Sequence, residues 1–257
     1  MTSSWIAYSH IAPNGCELWR ARADGSDKQQ LTTSFIWILK IRYSPDGSKI
    51  AIMAIQSNGP YKGQYKVYWV SADGGSLHEI PSPITVQADP AWSPDSQSIM
   101  FGSAPEDFGG GGPGVARRIY LYDLRTGKTT EVPGSADLFN GRWSPDGKYV
   151  VAMLADFQGM SLLDTTTSKW RPLTHHQPTD YPSWSPDSAW VYFNNIGDTE
   201  LRRVRVRDGY VETLGPIPLP SGYNQCRTVA FFSNGTACLE CDDSRTEIFA
   251  LDYKEQK

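Results

Sequence analysis

One short phrase recurs along the chain and constrains its fold more than any other feature. Tyr43-Ser44-Pro45-Asp46-Gly47, Trp92-Ser93-Pro94-Asp95-Ser96, Trp143-Ser144-Pro145-Asp146-Gly147 and Trp184-Ser185-Pro186-Asp187-Ser188 each place an aromatic residue before Ser-Pro-Asp and a small residue after it. The prolines lie 49, 51 and 41 residues apart, and an eroded fifth copy, Phe231-Phe232-Ser233-Asn234-Gly235, sets its serine 48 residues beyond Ser185. A period of roughly 40–50 residues fits one small antiparallel sheet in a radially repeated all-β fold.

The chemistry of the phrase makes it a corner. Proline presets φ for the second position of a type I turn, serine before it accepts hydrogen bonds from the backbone, and Asp and Gly suit the positions that follow. The aromatic ends an incoming strand. An apolar segment leaves each corner: Ile50-Ala51-Ile52, Ile99-Met100-Phe101, Tyr149-Val150-Val151-Ala152 and Trp190-Val191-Tyr192-Phe193. Such β-branched and aromatic runs are strand formers. A third apolar segment closes on a polar turn: Val67 to Val70 before Asp73-Gly74-Gly75, Ile119 to Tyr122 before Thr126-Gly127, and Val204 to Val206 before Asp208-Gly209. A fourth short strand ends near Ile80, Val132, Leu173 or Leu214. Four antiparallel strands per repeat leave both faces of a lone sheet wet, so neighbouring repeats have to stack to bury them.

Both ends are irregular. Trp5 to Tyr8, Glu17 to Ala21 and Gln30 to Thr32 read as the second, third and fourth strands of one repeat. Thr228 to Phe232, Thr236 to Glu240 and Glu247 to Asp252 read as the first, second and third strands of another. The two sets cannot merge into one four-stranded sheet, so the count is six repeats, the first and last incomplete.

These strand, Trp-Ser-Pro-Asp-Gly, strand units resemble the WD-like repeats of TolB and related bacterial propellers, over nearly the whole chain. The resemblance implies an all-β, six-bladed β-propeller with blades of four antiparallel strands, occupying residues 1–257 as a single domain. Such propellers serve many roles, so the fold does not by itself assign one.

Composition narrows the partners. A formal charge of −4 offers no broad attraction for nucleic acid or an acidic membrane surface. No run of 18 or more apolar residues predicts a membrane span, and the first twenty residues lack the basic-then-apolar pattern of a secretory leader. The compartment stays open between the cytoplasm and, where a leader has been removed, the periplasm.

In a propeller of this connectivity the Ser-Pro-Asp and Asp-Gly corners share one face. The opposite face carries long, dissimilar connections: Gln56 to Gln64, Gly102 to Arg118, His175 to Pro182 and Gly215 to Arg227. Function concentrates on irregular loops held by a rigid scaffold. The richest is His175-His176-Gln177-Pro178-Thr179-Asp180-Tyr181, and the ligand-binding candidates are His175, His176, Asp180 and Tyr181, with Tyr223 and Arg227 from the last connection. The expectation is a non-enzymatic binding or assembly module. Its long-loop face takes a protein or peptide partner, and its channel mouth is the place for a small ligand or ion, with no resident metal or cofactor and no catalytic set. The second reading is a carbohydrate-active enzyme, lyase or hydrolase, using His175, His176 and Asp180 at the channel mouth. The oligogalacturonate lyases, a related propeller group, hold a metal with channel histidines, but their motif has no residue-by-residue match in this sequence.

Other motifs carry less. Thr126-Gly127-Lys128-Thr129 lacks the upstream glycine of a phosphate loop, since Tyr122 stands there, and reads as a turn. Gly109 to Gly112 reads as a flexible loop tip. Cys238 and Cys241 have the spacing of half a zinc site, yet positions three apart on a strand face opposite ways, and a Cys16–Cys226 disulfide is the alternative use of the cysteines. Arg203, Arg205 and Arg207 form a basic stripe that reads as a solvated outer face, with an acidic partner as the sharper alternative. No Gly-x-Ser-x-Gly elbow and no long helical segment occurs, so no α/β hydrolase domain lies within these residues.

Overall fold

The structure, a computed structural model, describes residues 5–56, 63–103, 117–176, 178–195, 200–217, 225–231, 236–242 and 247–252; for residues 33, 34, 225–231, 236–242 and 247–252 it describes the backbone path alone. Among these residues there is no helix, and therefore none long and apolar enough to cross a membrane. The chain divides into two compact units, Met1–Asn140 and Gly141–Lys257.

The first unit opens with β1 (Trp5–Ala12), β2 (Gly15–Arg22), β3 (Gln29–Tyr43), β4 (Lys49–Gln56), β5 (Tyr65–Ser71) and β6 (His78–Glu79), paired in chain order as one six-stranded sheet. It continues with β7 (Gln87–Trp92), β8 (Ser98–Ser103), β9 (Ile119–Asp123) and β10 (Lys128–Glu131), a four-stranded sheet. β11 (Leu138–Trp143), which runs across the division, forms the next four-stranded sheet with β12 (Tyr149–Leu154), β13 (Gly159–Asp164) and β14 (Lys169–His175). In the second unit follow β15 (Ser183–Trp184), β16 (Trp190–Phe193), β17 (Glu200–Arg205) and β18 (Val211–Pro216), then a three-stranded sheet of β19 (Gln225–Phe231), β20 (Thr236–Asp242) and β21 (Glu247–Asp252).

The strand ending near Thr32 and the strand arriving at Tyr43 are not separate elements: β3 runs unbroken over 15 residues and serves both as the last strand of the first repeat and the first of the second. Gln29 to Tyr43 contains neither glycine nor proline, so nothing in it turns the chain. The strand bends instead: the ladder between β3 and β4 shifts register between Phe35 and Trp37 and again between Ile38 and Lys40. Such bulges add twist and re-aim side chains.

The four corners are built alike. At the first, Ser44 N donates to Lys49 O and Gly47 N to Ser44 O, while the Ser44 hydroxyl donates to Asp46 Oδ1 at 2.5 Å and accepts from Lys49 N at 3.0 Å. The same serine-to-aspartate bond recurs at Ser93–Asp95, Ser144–Asp146 and Ser185–Asp187. Within each repeat the residue after the third strand donates back to the corner: Ala72 N to Ser48 O, Leu124 N to Gln97 O, Thr165 N to Lys148 O and Val206 N to Ala189 O. The Ser-Pro-Asp corner and the Asp-Gly corner of a repeat therefore lie at the same end of its sheet.

Neighbouring repeats are joined at these corners. In the first unit Asp46 N donates to the Ser96 hydroxyl at 3.1 Å and the Trp92 indole to Arg42 O at 3.0 Å. In the second, Asp146 N donates to Ser188 at 3.2 Å and Trp184 to Arg142 O at 3.0 Å. This explains the alternation of the last corner residue. Gly47 and Gly147 take positive φ without penalty, whereas Ser96 (φ 60°) and Ser188 (φ 61°) accept that strain and use their hydroxyls to receive the preceding repeat.

Stacking buries the sheet faces. Ile50, Ile52 and Ala54 on one face of β4 pack with Leu18, Leu31, Phe35 and Tyr68, while Ala51 on the other packs with Val67, Ile80, Trp92 and Phe101. In the second unit Val151, Met160 and Leu162 meet Trp184, Val191 and Phe193. Burying each such aromatic is worth about 2–3 kcal/mol.

Candidate functional site

The connections expected to carry function lie at the ends of the sheets away from the corners. In the first unit this end carries three exposed apolar residues. Across the bulge of β3, Phe35 is buried but Ile36 and Trp37 are both turned outward, 45% and 46% exposed. Ile11, 71% exposed, stands in the same cross-strand row as Cys16 and Phe35, next to the β1–β2 turn. Trp37 lies opposite Ile55, at the end of β4 that leads into the 57–62 connection, whereas the corner end of the same ladder is Tyr43 opposite Ile50. With β3 continuous, no connection between the first two repeats covers these side chains.

The histidine-rich segment lies in the second unit. His175 ends β14 and His176 follows it with φ 50°; both are exposed, with ring centroids 6.4 Å apart and tilted by 43°. The neighbouring residues are fixed by backbone bonds: Thr179 N donates to Phe157 O at 3.0 Å and Asp180 N to Asn194 O at 2.8 Å. The Asp180 carboxylate accepts from Tyr181 N at 2.9 Å, and both residues are half-buried. His175, His176, Asp180 and Tyr181 thus follow one another on a held segment, but among the described residues no three His, Cys, Asp or Glu side chains converge to hold a metal ion. Tyr223 lies outside the described residues. Arg227 is on β19 opposite Glu240, not in a loop, and only its backbone place is described. Gly109 to Gly112 also falls outside them, while Thr126-Gly127 is a turn, with Gly127 N donating to Asp123 O.

A further polar set becomes visible when the repeats are aligned on their corners. Three residues before the corner aromatic stand Lys40, Asp89 and Asn140 in the first unit and Tyr181 in the second. Lys40, Asp89 and Asn140 are buried to 6%, 6% and 1% exposure, on the strands that lead into their corners. Asp89 and Asn140 both hold positive φ, 54° and 52°, a conformation that Asp and Asn tolerate and that recurs where a side chain has to be aimed. A cation, a carboxylate and an amide thus share one buried repeat position. Reading the sequence loop by loop misses them; alignment on Ser-Pro-Asp finds them.

The basic stripe is largely neutralised by its own sheet. Arg202 pairs with Glu200 at 2.6 Å, Arg203 with Glu212 at 2.8 Å and Arg205 with Asp208 at 2.8 Å, and Arg203 lies 4.2 Å over the Trp190 ring. The Arg205 guanidinium bound to its carboxylate holds Asp208 down to about 2. Elsewhere burial pushes Lys66 below the usual ammonium range and Glu79 above the usual carboxylate range.

Corner-joined four-stranded repeats of this kind define a β-propeller of the WD-like class. The TolB beta propeller domain matches residues 42–214, and the chain belongs to that family. It is 23% identical over 214 residues to the uncharacterized peptidase YuxL of Bacillus subtilis, covering 65% of this chain and 31% of that protein. It is 26% identical over 157 residues to dipeptidyl-peptidase 5 of Porphyromonas gingivalis, covering 54% of this chain and 22% of that protein. The matches thus span less than a third of either relative. TolB from Acinetobacter baumannii superposes with a TM-score of 0.63 at 19% identity, over 98% of this chain and 64% of that one.

Proposed function

We propose that the chain is a non-enzymatic binding module that takes a protein or peptide partner at the end of its sheets opposite the corners. The observation that carries this reading is the exposure of two neighbouring apolar side chains, Ile36 and Trp37, at the bulge of β3. A tryptophan held half out of a rigid strand by a bulge loses little entropy on binding, and buried interface tryptophans are frequent energetic anchors. The partner segment is therefore one that presents an aliphatic or aromatic side chain to Trp37. A small ligand or ion near Lys40, Asp89 and Asn140 is compatible with the same module.

The test is selection of displayed random peptides on the protein, followed by affinity measurement on the wild type and Trp37→Ala. The reading expects apolar-anchored peptides that weaken at least about tenfold on Trp37→Ala, because an interface tryptophan is typically worth about 2 kcal/mol or more. Selected peptides that bind both proteins equally, or failure to select any, would overturn it.

A further inference from the structure

Two of the four cysteines are cross-strand partners. β19 and β20 pair antiparallel with Cys226 directly opposite Cys241. Residues facing each other across an antiparallel ladder have Cα atoms about 4.5–5.5 Å apart, inside the range of about 4.4–6.8 Å that a disulfide spans. The other two cysteines have no such partner position. Cys238 stands opposite Ala230 on one side and Ala250 on the other, and is three residues from Cys241 along the strand. Cys16 is a free thiol buried among Leu18, Phe35 and Ile50 in the first unit.

We propose that Cys226 and Cys241 are a redox pair that closes to a disulfide fastening β19 to β20. The oxidant is a small-molecule disulfide of the oxidised glutathione type. One cysteine thiolate attacks its sulfur–sulfur bond, releasing one glutathione thiolate and leaving a mixed disulfide on the protein. The second cysteine thiolate attacks that bond, the Cys226–Cys241 bond forms, and the second glutathione thiolate leaves. The two protons of the cysteine thiols pass to solvent or to the departing thiolates, and the two electrons reside on the two glutathione molecules.

The register makes a selective prediction. The full chain is equilibrated over glutathione ratios from reducing to oxidising, free thiols are alkylated, and the protein is cut with trypsin without reduction. Cleavage after Arg207, Arg227 and Arg245 gives peptide 208–227, holding Cys226, and peptide 228–245, holding Cys238 and Cys241. The two peptides become linked as the ratio turns oxidising, with the summed mass lower by two hydrogens, while the Cys16 peptide is alkylated throughout. Linkage survives in Cys238→Ala and is lost in Cys241→Ala. Alkylation of both peptides at every ratio, linkage that is lost in Cys238→Ala instead, or a bond between Cys16 and Cys226 would overturn the assignment.

Discussion

Replacing Arg20 by methionine removes a guanidinium that fastens the first repeat to the second while keeping most of the apolar stem. Arg20 is 8% exposed on β2. Its Nη1 donates to Ala72 O at 2.6 Å, its Nε and Nη2 donate to Gln29 Oε1 at 2.9 and 2.7 Å, and Nη1 also lies 2.8 Å from Asp73 Oδ1. The Trp5 ring sits 4.2 Å from its charge centre. These contacts differ in weight. The Asp73 side chain is 85% exposed, so that ion pair is screened by water and worth about 0–1 kcal/mol. Gln29 is also exposed and regains water when released. The bond to the carbonyl of buried Ala72 is the costly one to lose, about 1.5–3 kcal/mol for a charged donor, with about 0.5–1 kcal/mol more from the cation over Trp5. Arg20→Met is therefore expected to destabilise the chain by about 2–4 kcal/mol, and Asp73→Asn by less than about 1 kcal/mol, the latter effect vanishing in high salt. Urea unfolding followed by far-ultraviolet circular dichroism measures both. Equal losses from the two variants, or a loss below about 1 kcal/mol for Arg20→Met, would refute the reasoning.

Other outcomes follow from the corners. Ser96→Ala loses the bond from Asp46 N yet keeps positive φ, and should cost about 1–2 kcal/mol, whereas Ser96→Gly loses the same bond but relieves the strain and should come close to neutral in the same unfolding assay. Trp184→Phe breaks an indole bond to Arg142 O, while the Trp143 indole nitrogen is buried with no acceptor among the described residues; Trp184→Phe should therefore cost about 1 kcal/mol more than Trp143→Phe. The Ser44 hydroxyl holds the Asp46 carboxyl down to about 2, against an ordinary value of 3.8, so its contribution is complete above about pH 4 and is lost as pH falls toward 2. Asp46→Asn should accordingly flatten the acid limb of a stability–pH profile in that window, and an unchanged profile would contradict the assignment.

The corner phrase made the repeats legible because its chemistry is local: Ser, Pro and Asp encode one turn wherever they occur, and the strands beside it alternate around buried Ile, Val and aromatic residues. The fusion of the first two repeats was legible only in what is missing, since Gln29 to Tyr43 holds no glycine, proline, asparagine or aspartate. The exposed Ile36 and Trp37 could not be foreseen, because the strand period assigns them to opposite faces until a bulge intervenes. The same holds for Cys226 opposite Cys241, whose register depends on the shift between Thr228 and Ala230. The segment His175 to Tyr181 is rich in polar groups in the sequence, but the backbone bonds from Thr179 to Phe157 and from Asp180 to Asn194 that hold it come from elsewhere in the chain.

Residue-resolved hydrogen exchange of the corner amides probes most directly whether successive repeats meet corner to corner. Ser96→Ala should speed exchange at Asp46, fifty positions earlier, and leave Asp146 unchanged, while Ser188→Ala should do the reverse. Unaltered protection at Asp46 and Asp146 in both variants, or a loss at both sites from either one, would contradict the stacking on which the rest depends.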